Sequence, residues 1–346
     1  RIERLRKAGR FDEFVDAALN AGIDFPDSAA IELVKAEALL AVGRDEDAEQ
    51  SARRAAELAL VARDREMPAM ALRRWATACF RQSKPLDAAW LNQFSPRLAN
   101  DSTWRMLIFW ADALGGRGPY RINGSGDASR PLATGHSGPD AASVELNAIG
   151  VRAGGISLPV VFIDTGAQHV IMTTAAAEAA GVRIGPSGLR LVGFARLVGR
   201  PGLLETLELG DVTLHDVPVL VGDSPALVVA GGQMALGTEL MHHVRFTIDY
   251  PAGRVYAESA RKRAAPATPA AHWQIPLWTF SQSCLAQGIL PEGGLARVLI
   301  DTGDRTGTYV STRWAQRHLQ GFPRGRGPIV FKYKHRELML DRMVLG

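Results

Sequence analysis

The hydrophobic period changes once along this chain, and that change divides it into two kinds of structure. Through residues 1 to about 115, apolar residues recur every three or four positions among Ala, Leu, Glu and Arg, with few Gly or Pro, which predicts packed helices. From residue 143 the period falls to two, in stretches such as "SVELNAIGV", "LPVVFID" and "VRFTIDYPAGRVYAE" separated by Gly, Asp and Pro. Between them "GGRGPYRINGSGDASRPLATGHSGPD" has no period and reads as a linker, and so does the Ala/Pro/Arg-rich run that follows residue 260. The expected fold class is multidomain α + β. A helical domain covers 1–114, a linker 115–142, a mostly-β lobe 143–260, a second linker 261–273 and a shorter second β lobe 274–346.

Within the helical part, "RLRKAGRFDEFVDAAL" and "ALLAVGRDEDAEQSAR" align with Gly9 on Gly43 and Arg10 on Arg44, a spacing of 34 residues. A looser third copy, "ATACFRQSKPLDAAWL", puts Lys84 and Pro85 in the turn after a spacing of 41. Ala48 and Ala55 fall where paired helices approach closely. The period resembles that of tetratricopeptide helix–turn–helix repeats over roughly residues 1 to 98, although the aromatic positions of that family are mostly missing. An unrelated helical bundle is the alternative. Either arrangement would bind or orient a protein partner, since such stacks carry no catalytic chemistry of their own.

Composition sets outer bounds. At 346 residues with 47% hydrophobic and 22% charged residues, the chain can bury substantial cores without staples. No uncharged apolar run reaches the roughly 18 residues of a membrane span. The net charge of +4 is spread along the whole length, which argues against a nucleic-acid surface. Cys79 and Cys284 lie far apart and define neither a metal site nor a disulfide framework. The sequence starts on Arg1 and stops on the strand-like "DRMVLG", so a fragment cut at both ends is expected.

The chemistry concentrates in a repeated string. "VFIDTGAQHVIMTT" (161–174) returns as "VLIDTGDRTGTYVS" (298–311), with the two aspartates 137 residues apart. An apolar strand delivers each carboxylate to a dry place, the glycine turns the chain and offers its N–H, and the threonine hydroxyl can lock the loop. Brought face to face, Asp164 and Asp301 would share one proton, one acting as general base on water and the other as general acid. Such a dyad titrates as a unit and needs neither metal nor cofactor. Elsewhere the signals are weaker. His242 and His243, read as neighbours in a strand, point to opposite faces; His169 reads as a surface histidine; Ser281, Ser283 and Cys284 lack a nucleophile's local signature.

Asp164-Thr165-Gly166-Ala167 resembles the active-site motif of retropepsin-like aspartic proteases. Ala235-Leu236-Gly237 is similar to that family's apolar-apolar-Gly signature, whose strand passes behind the catalytic loop. "LVGFARLVG" (191–199) stands where the family carries its flap, which implies that Gly193 and Phe194 lie near substrate. The second copy keeps Asp301, Thr302 and Gly303 but has Asp304 where the family usually has Ala or Ser, and it is short, so the second lobe reads as truncated; "MVLG" (343–346) could match "VLVG" (219–222). The resemblance implies tandem acid-protease lobes, an extended polypeptide substrate and, for proteins with such helical extensions, a bacterial chain that is periplasmic, secreted or membrane-anchored through a missing N-terminal segment. Two alternatives stay open: pairing of Asp164 with a second chain, and a module that binds peptides without cutting them.

Overall fold

Helices α1 (Ile2–Lys7), α2 (Phe11–Asp24), α3 (Ala29–Ala41), α4 (Asp45–Val61), α5 (Met67–Arg81), α6 (Ala88–Asn92), α7 (Ser95–Leu98) and α8 (Ser102–Leu114) open the computed structural model. It describes residues 1–123, 128–131, 148–186, 189–191, 197–229, 231–249, 253–260, 277–280, 283–289, 295–302 and 342–345. Short polar side chains start several helices by taking an otherwise unpaired N–H: Asp87 accepts from Trp90 at 2.9 Å and Asp101 from Trp104 at 3.0 Å. The turns of the three repeat copies share one geometry, which recurs at Arg63 after α4. Gly9 (φ 75°), Gly43 (φ 73°) and Ser83 (φ 53°) each sit in the left-handed region. The residue after each returns its N–H to the preceding helix, Arg10 to Leu5 O, Arg44 to Leu39 O and Lys84 to Cys79 O. In the third copy Ser83, rather than Lys84, occupies the left-handed position, one residue earlier than the sequence alignment places it. A search guided by glycine misses a serine held in that conformation by the helix it ends.

The α4 face that meets its neighbours is built from Ala48, Ala52, Ala55, Ala56 and Ala59, all fully buried. Small side chains let adjacent helices come close, and larger ones fill the same core, where Trp75 and Trp90 meet at 4.6 Å between ring centroids.

The β region begins earlier than composition suggests. Strands β1 (Arg121–Asn123) and β2 (Ala128–Pro131) form inside the stretch read as a linker, because each finds a partner elsewhere. The elements that follow are β3 (Ala148–Ala153), β4 (Ile156–Ile163), β5 (Val170–Met172), α9 (Thr174–Ala179), β6 (Arg183–Ile184), β7 (Leu189–Leu191), β8 (Leu197–Leu209), β9 (Val212–Val221), α10 (Pro225–Val229) and β10 (Met234–Leu236). Neighbour pairing runs β9-β5-β10-β4-β3-β8 and closes where β8 pairs again with β9, so six strands form a ring. Closure removes the exposed edges that an open sheet would leave. β1 adds to β9, while β6 and β7 add to β8.

Beyond the ring, β11 (Val244–Asp249) and β12 (Arg254–Ser259) form a hairpin whose last pair is Asp249 with Arg254. β2 pairs with β12, and β16 (Arg342–Leu345) pairs antiparallel with β11. The chain end thus joins the first lobe's second sheet, a different place from that of "VLVG", which lies in β9 within the ring. Strands β13 (Trp278–Phe280), β14 (Ser283–Ile289) and β15 (Leu295–Leu299) make a separate antiparallel sheet leading to Asp301.

The helices pack on both β parts. One continuous core includes Trp75 and Trp110 from the helices with Leu204, Leu214 and Val219 from the ring. A second joins Leu5, Phe11 and Phe14 to Leu285 of β14, with Phe11 and Trp278 at 4.8 Å. Polar pins reinforce both contacts. Trp110 Nε1–H donates to Gly202 O at 2.9 Å, and the buried Arg81 guanidinium donates to Leu40 O at 2.7 Å and to Thr279 Oγ1 at 2.9 Å. Arg117 and Arg121 both reach Asp216, whose carboxyl they hold below its usual range against the opposing effect of burial.

Candidate active site

Asp164 leaves the end of β4, and Asp301 follows β15 by two residues. The two threonines beside them join these strand ends. Thr165 N–H donates to Thr302 Oγ1 at 3.0 Å, and Thr302 N–H donates to Thr165 Oγ1 at 2.9 Å. Each hydroxyl in turn donates to the main chain before the opposite aspartate, Thr165 to Ile300 O and Thr302 to Ile163 O, both at 2.7 Å. Every hydroxyl therefore gives one bond and takes one, and the pattern is two-fold symmetric. This reciprocal lock brings the two aspartates of a single chain into one site.

The Asp164 loop is held from within and from behind. Its Oδ1 accepts from Gly166 N–H at 2.8 Å and Ala167 N–H at 3.0 Å. Behind it, β10 runs parallel to β4 and antiparallel to β5, and Leu236 O accepts the Asp164 N–H at 3.0 Å. Gly237 then crosses so close that a Cβ there would stand 2.4 Å from His169 O. Gly166 is as constrained, since its Cβ would stand 2.4 Å from Asp301 Oδ2. A larger residue at Gly166 would have to displace the Asp301 carboxylate, and one at Gly237 the main chain of residues 168–169.

Burial pushes the Asp164 carboxyl up to about 6, and the negative charge of Asp301 pushes in the same direction. The N–H groups of Gly166 and Ala167 oppose the shift, while a side-chain hydrogen bond with Asp301 adds to it. The pair can therefore hold a proton at weakly acidic pH and offer an acceptor and a donor side by side.

This environment has a measurable consequence. The folded pKa of about 6 lies above the ordinary carboxyl value of 3.8, so the folded chain bears no penalty at pH values where Asp164 is protonated in both states. Stability is lost as pH rises through 6. An Asp164→Asn variant keeps the acceptor for Gly166 and Ala167 but cannot ionise. It is expected to be more stable than the parent chain above pH 7, by up to about 3 kcal/mol, with the difference vanishing below pH ~4. Thermal melts of both forms across that range check the result.

The other sequence-derived residues divide into three groups. Thr165, Gly166, Ala167 and Thr302 gather at the two aspartates, with Leu236 and Gly237 directly behind Asp164. β7 pairs antiparallel with the start of β8, Leu191 facing Leu197, so residues 192–196 connect two strands of a hairpin. Gly193 and Phe194 in that connection, and Gly303 and Asp304 after Thr302, lie outside the described residues.

Two readings of histidines need correction. His169 is buried, not at the surface, with Nδ1 2.8 Å from Glu239 Oε2 and its ring 5.8 Å from that of Trp110. His242 ends a 3₁₀ turn (Leu240–His242) and is not in a strand, while the buried His243 stacks on Tyr120 at 4.7 Å. Burial depends on α8 and Tyr120, which the local sequence does not announce. Glu239, which no motif singles out, has one visible signal in the sequence: a carboxylate inside the apolar run "MALGTELM". The two cysteines are free and buried, and burial pushes the Cys284 thiol up to about 11.

Among known families, the model of one described as aspartyl protease matches residues 149–240. The match runs from β3 to Leu240 and includes the Asp164 loop, while helices α1 to α8 and Asp301 lie outside it. No curated protein matches the chain. The family match supports protease activity at the level of the family, a hydrolase of peptide bonds.

Proposed function

We propose, from the aspartyl-protease match over residues 149–240 and the paired carboxyls, that this chain is an aspartic endopeptidase using Asp164 and Asp301 as a single-chain dyad. The observation that carries the reading is the reciprocal Thr165–Thr302 lock, which ties the strand ends bearing both aspartates within one chain and so favours a single-chain pair over one shared with a second copy. In the reaction, the ionised carboxylate takes a proton from water as its oxygen attacks the scissile carbonyl carbon. The protonated carboxyl gives its proton to the carbonyl oxygen, forming a tetrahedral gem-diol. Proton transfer to the amide nitrogen then lets the C–N bond break, releasing a carboxylic acid and an amine. No metal or cofactor enters this scheme.

Further parts follow the same reading. An extended polypeptide would bind by strand-like hydrogen bonds across the cleft, with Gly193 and Phe194 over it and Gly303 supporting Asp301 as Gly166 supports Asp164. The helical domain, with its tetratricopeptide-like period, would present a protein partner or substrate to that cleft. Export to the periplasm, secretion or membrane anchoring belongs to the same proposal.

The test is incubation of the protein with a mixed peptide library at several pH values, with and without pepstatin, beside Asp164→Asn. Cleavage that weakens as pH rises past about 6, stops with pepstatin and is lost in the variant is expected. A folded chain that cuts nothing at any pH would overturn the reading in favour of a peptide-binding module.

A further inference from the structure

We propose that Glu239 is a positioning residue that holds the Asp164 loop in register through Gln168 and His169; this rests on the peptidase reading above. Glu239 lies two residues beyond Gly237, at the point where the chain has just passed behind the loop. Its carboxylate is 3% exposed, a costly place for a charge unless its lone pairs are satisfied. Two loop side chains satisfy them. Gln168 Nε2 donates to Glu239 Oε1 at 3.1 Å, and His169 Nδ1 meets Oε2 at 2.8 Å. The main chain repeats the pairing: Thr238 N–H donates to Ala167 O at 2.9 Å and Glu239 N–H to Gln168 O at 3.0 Å. Residues 167–169 are thus tied at four points to residues 238–239, starting one residue beyond the Gly166 that turns toward Asp301.

Main-chain pairing alone would hold the loop as a strand edge that can pivot. The two side-chain bonds converge on one carboxylate from neighbouring residues of the loop, which fixes the twist as well as the separation. Trp110 backs this arrangement from the helical domain. Its ring lies against His169, and its Nε1–H is bonded to Gly202 O in β8, the strand that leaves the β7–β8 hairpin. Glu239 need not touch substrate for this role; it acts by keeping Asp164 aimed at Asp301.

A charge swap tests the proposal. Glu239→Gln offers one acceptor and one donor to two donors, so one of the two bonds is lost. Gln168→Glu sets two carboxylates against each other. Each single variant is expected to lose kcat by about 10²-fold with KM nearly unchanged, as a displaced catalytic group would. The double variant Gln168→Glu/Glu239→Gln places an acceptor at 168 opposite the new amide donor and leaves its carbonyl oxygen for His169. It is expected to recover most of the lost kcat, and it keeps the question answerable should a single variant fold poorly. Singles with full kcat, or a double variant whose losses simply multiply, overturn the proposal.

A second readout needs no cleavage. The stability gap between Asp164→Asn and its parent opens near pH 4 and stops growing at about pH 6, and that upper pH reports how well Asp164 is buried and held beside Asp301. In a Glu239→Gln background the upper pH and the size of the gap are expected to fall; unchanged values overturn the positioning role. Failure of the parent chain to cut any peptide would overturn the peptidase reading instead, and the two failures are told apart by these melts.

Discussion

Asp301→Asn is expected to abolish peptide cleavage as completely as Asp164→Asn, a loss on the order of 10³-fold or more in kcat/KM. The reason is that neither carboxyl can do both jobs. With one aspartate replaced, the site retains a group that can accept a proton from water or a group that can donate one, but not the shared proton that joins the two steps. The hydrogen bonds favour this single-chain pairing, because the lock that faces Thr165 is made by Thr302 of the same chain, next to Asp301. Rate measurements over a dilution series provide the second half of the test. Specific activity should not fall with dilution, as it would if Asp164 drew its partner from a second copy. Full activity in Asp301→Asn would sink the single-chain dyad.

The Thr165–Thr302 lock should dominate stability at the junction between the lobes. Thr165→Val keeps the shape of a fully buried side chain but removes a hydroxyl that donates to Ile300 O and accepts from Thr302 N–H. Two main-chain groups are left without that partner, and each such loss costs about 1–3 kcal/mol when the group is buried. Thr302→Val removes the symmetric pair, from Ile163 O and Thr165 N–H. Each substitution is expected to destabilise the chain by about 2–5 kcal/mol, read from urea unfolding. The double variant should cost less than the sum, since the two hydroxyls belong to one network. Serine at either position should recover most of the loss, because it restores the hydroxyl. Additive losses, or valine variants as stable as the parent, would show that the two strand ends are held by something else.

Much of the fold was legible where the signal is local. Helices in the first 114 residues announced themselves by period and by the scarcity of Gly and Pro, and the turns at Gly9 and Gly43 by the aligned glycines. Ser83 was not legible, because serine takes that conformation only under the constraint of the helix before it. β1 and β2 were hidden for a related reason: short strands in Gly- and Ser-rich sequence acquire their conformation from β9 and β12, partners far along the chain. The retropepsin-like motif around Asp164 and the strand through Ala235-Leu236-Gly237 could be placed together by resemblance. The ties from Glu239 to Gln168 and His169 could not, since nothing in "QH" or "TE" says which residues face each other.

By itself, then, the sequence determined the order of helix and strand, the two Asp-Thr-Gly strings and the glycine at 166 on which the first loop depends. Those are consequences of backbone preference and hydrophobic period, which act over a few residues. The tertiary structure alone decided that Asp164 and Asp301 share a site, that His169 is buried behind it and that the helices seal both β parts. Each of these depends on surfaces brought together from positions far apart, where desolvation and paired hydrogen bonds, rather than local propensity, set the outcome.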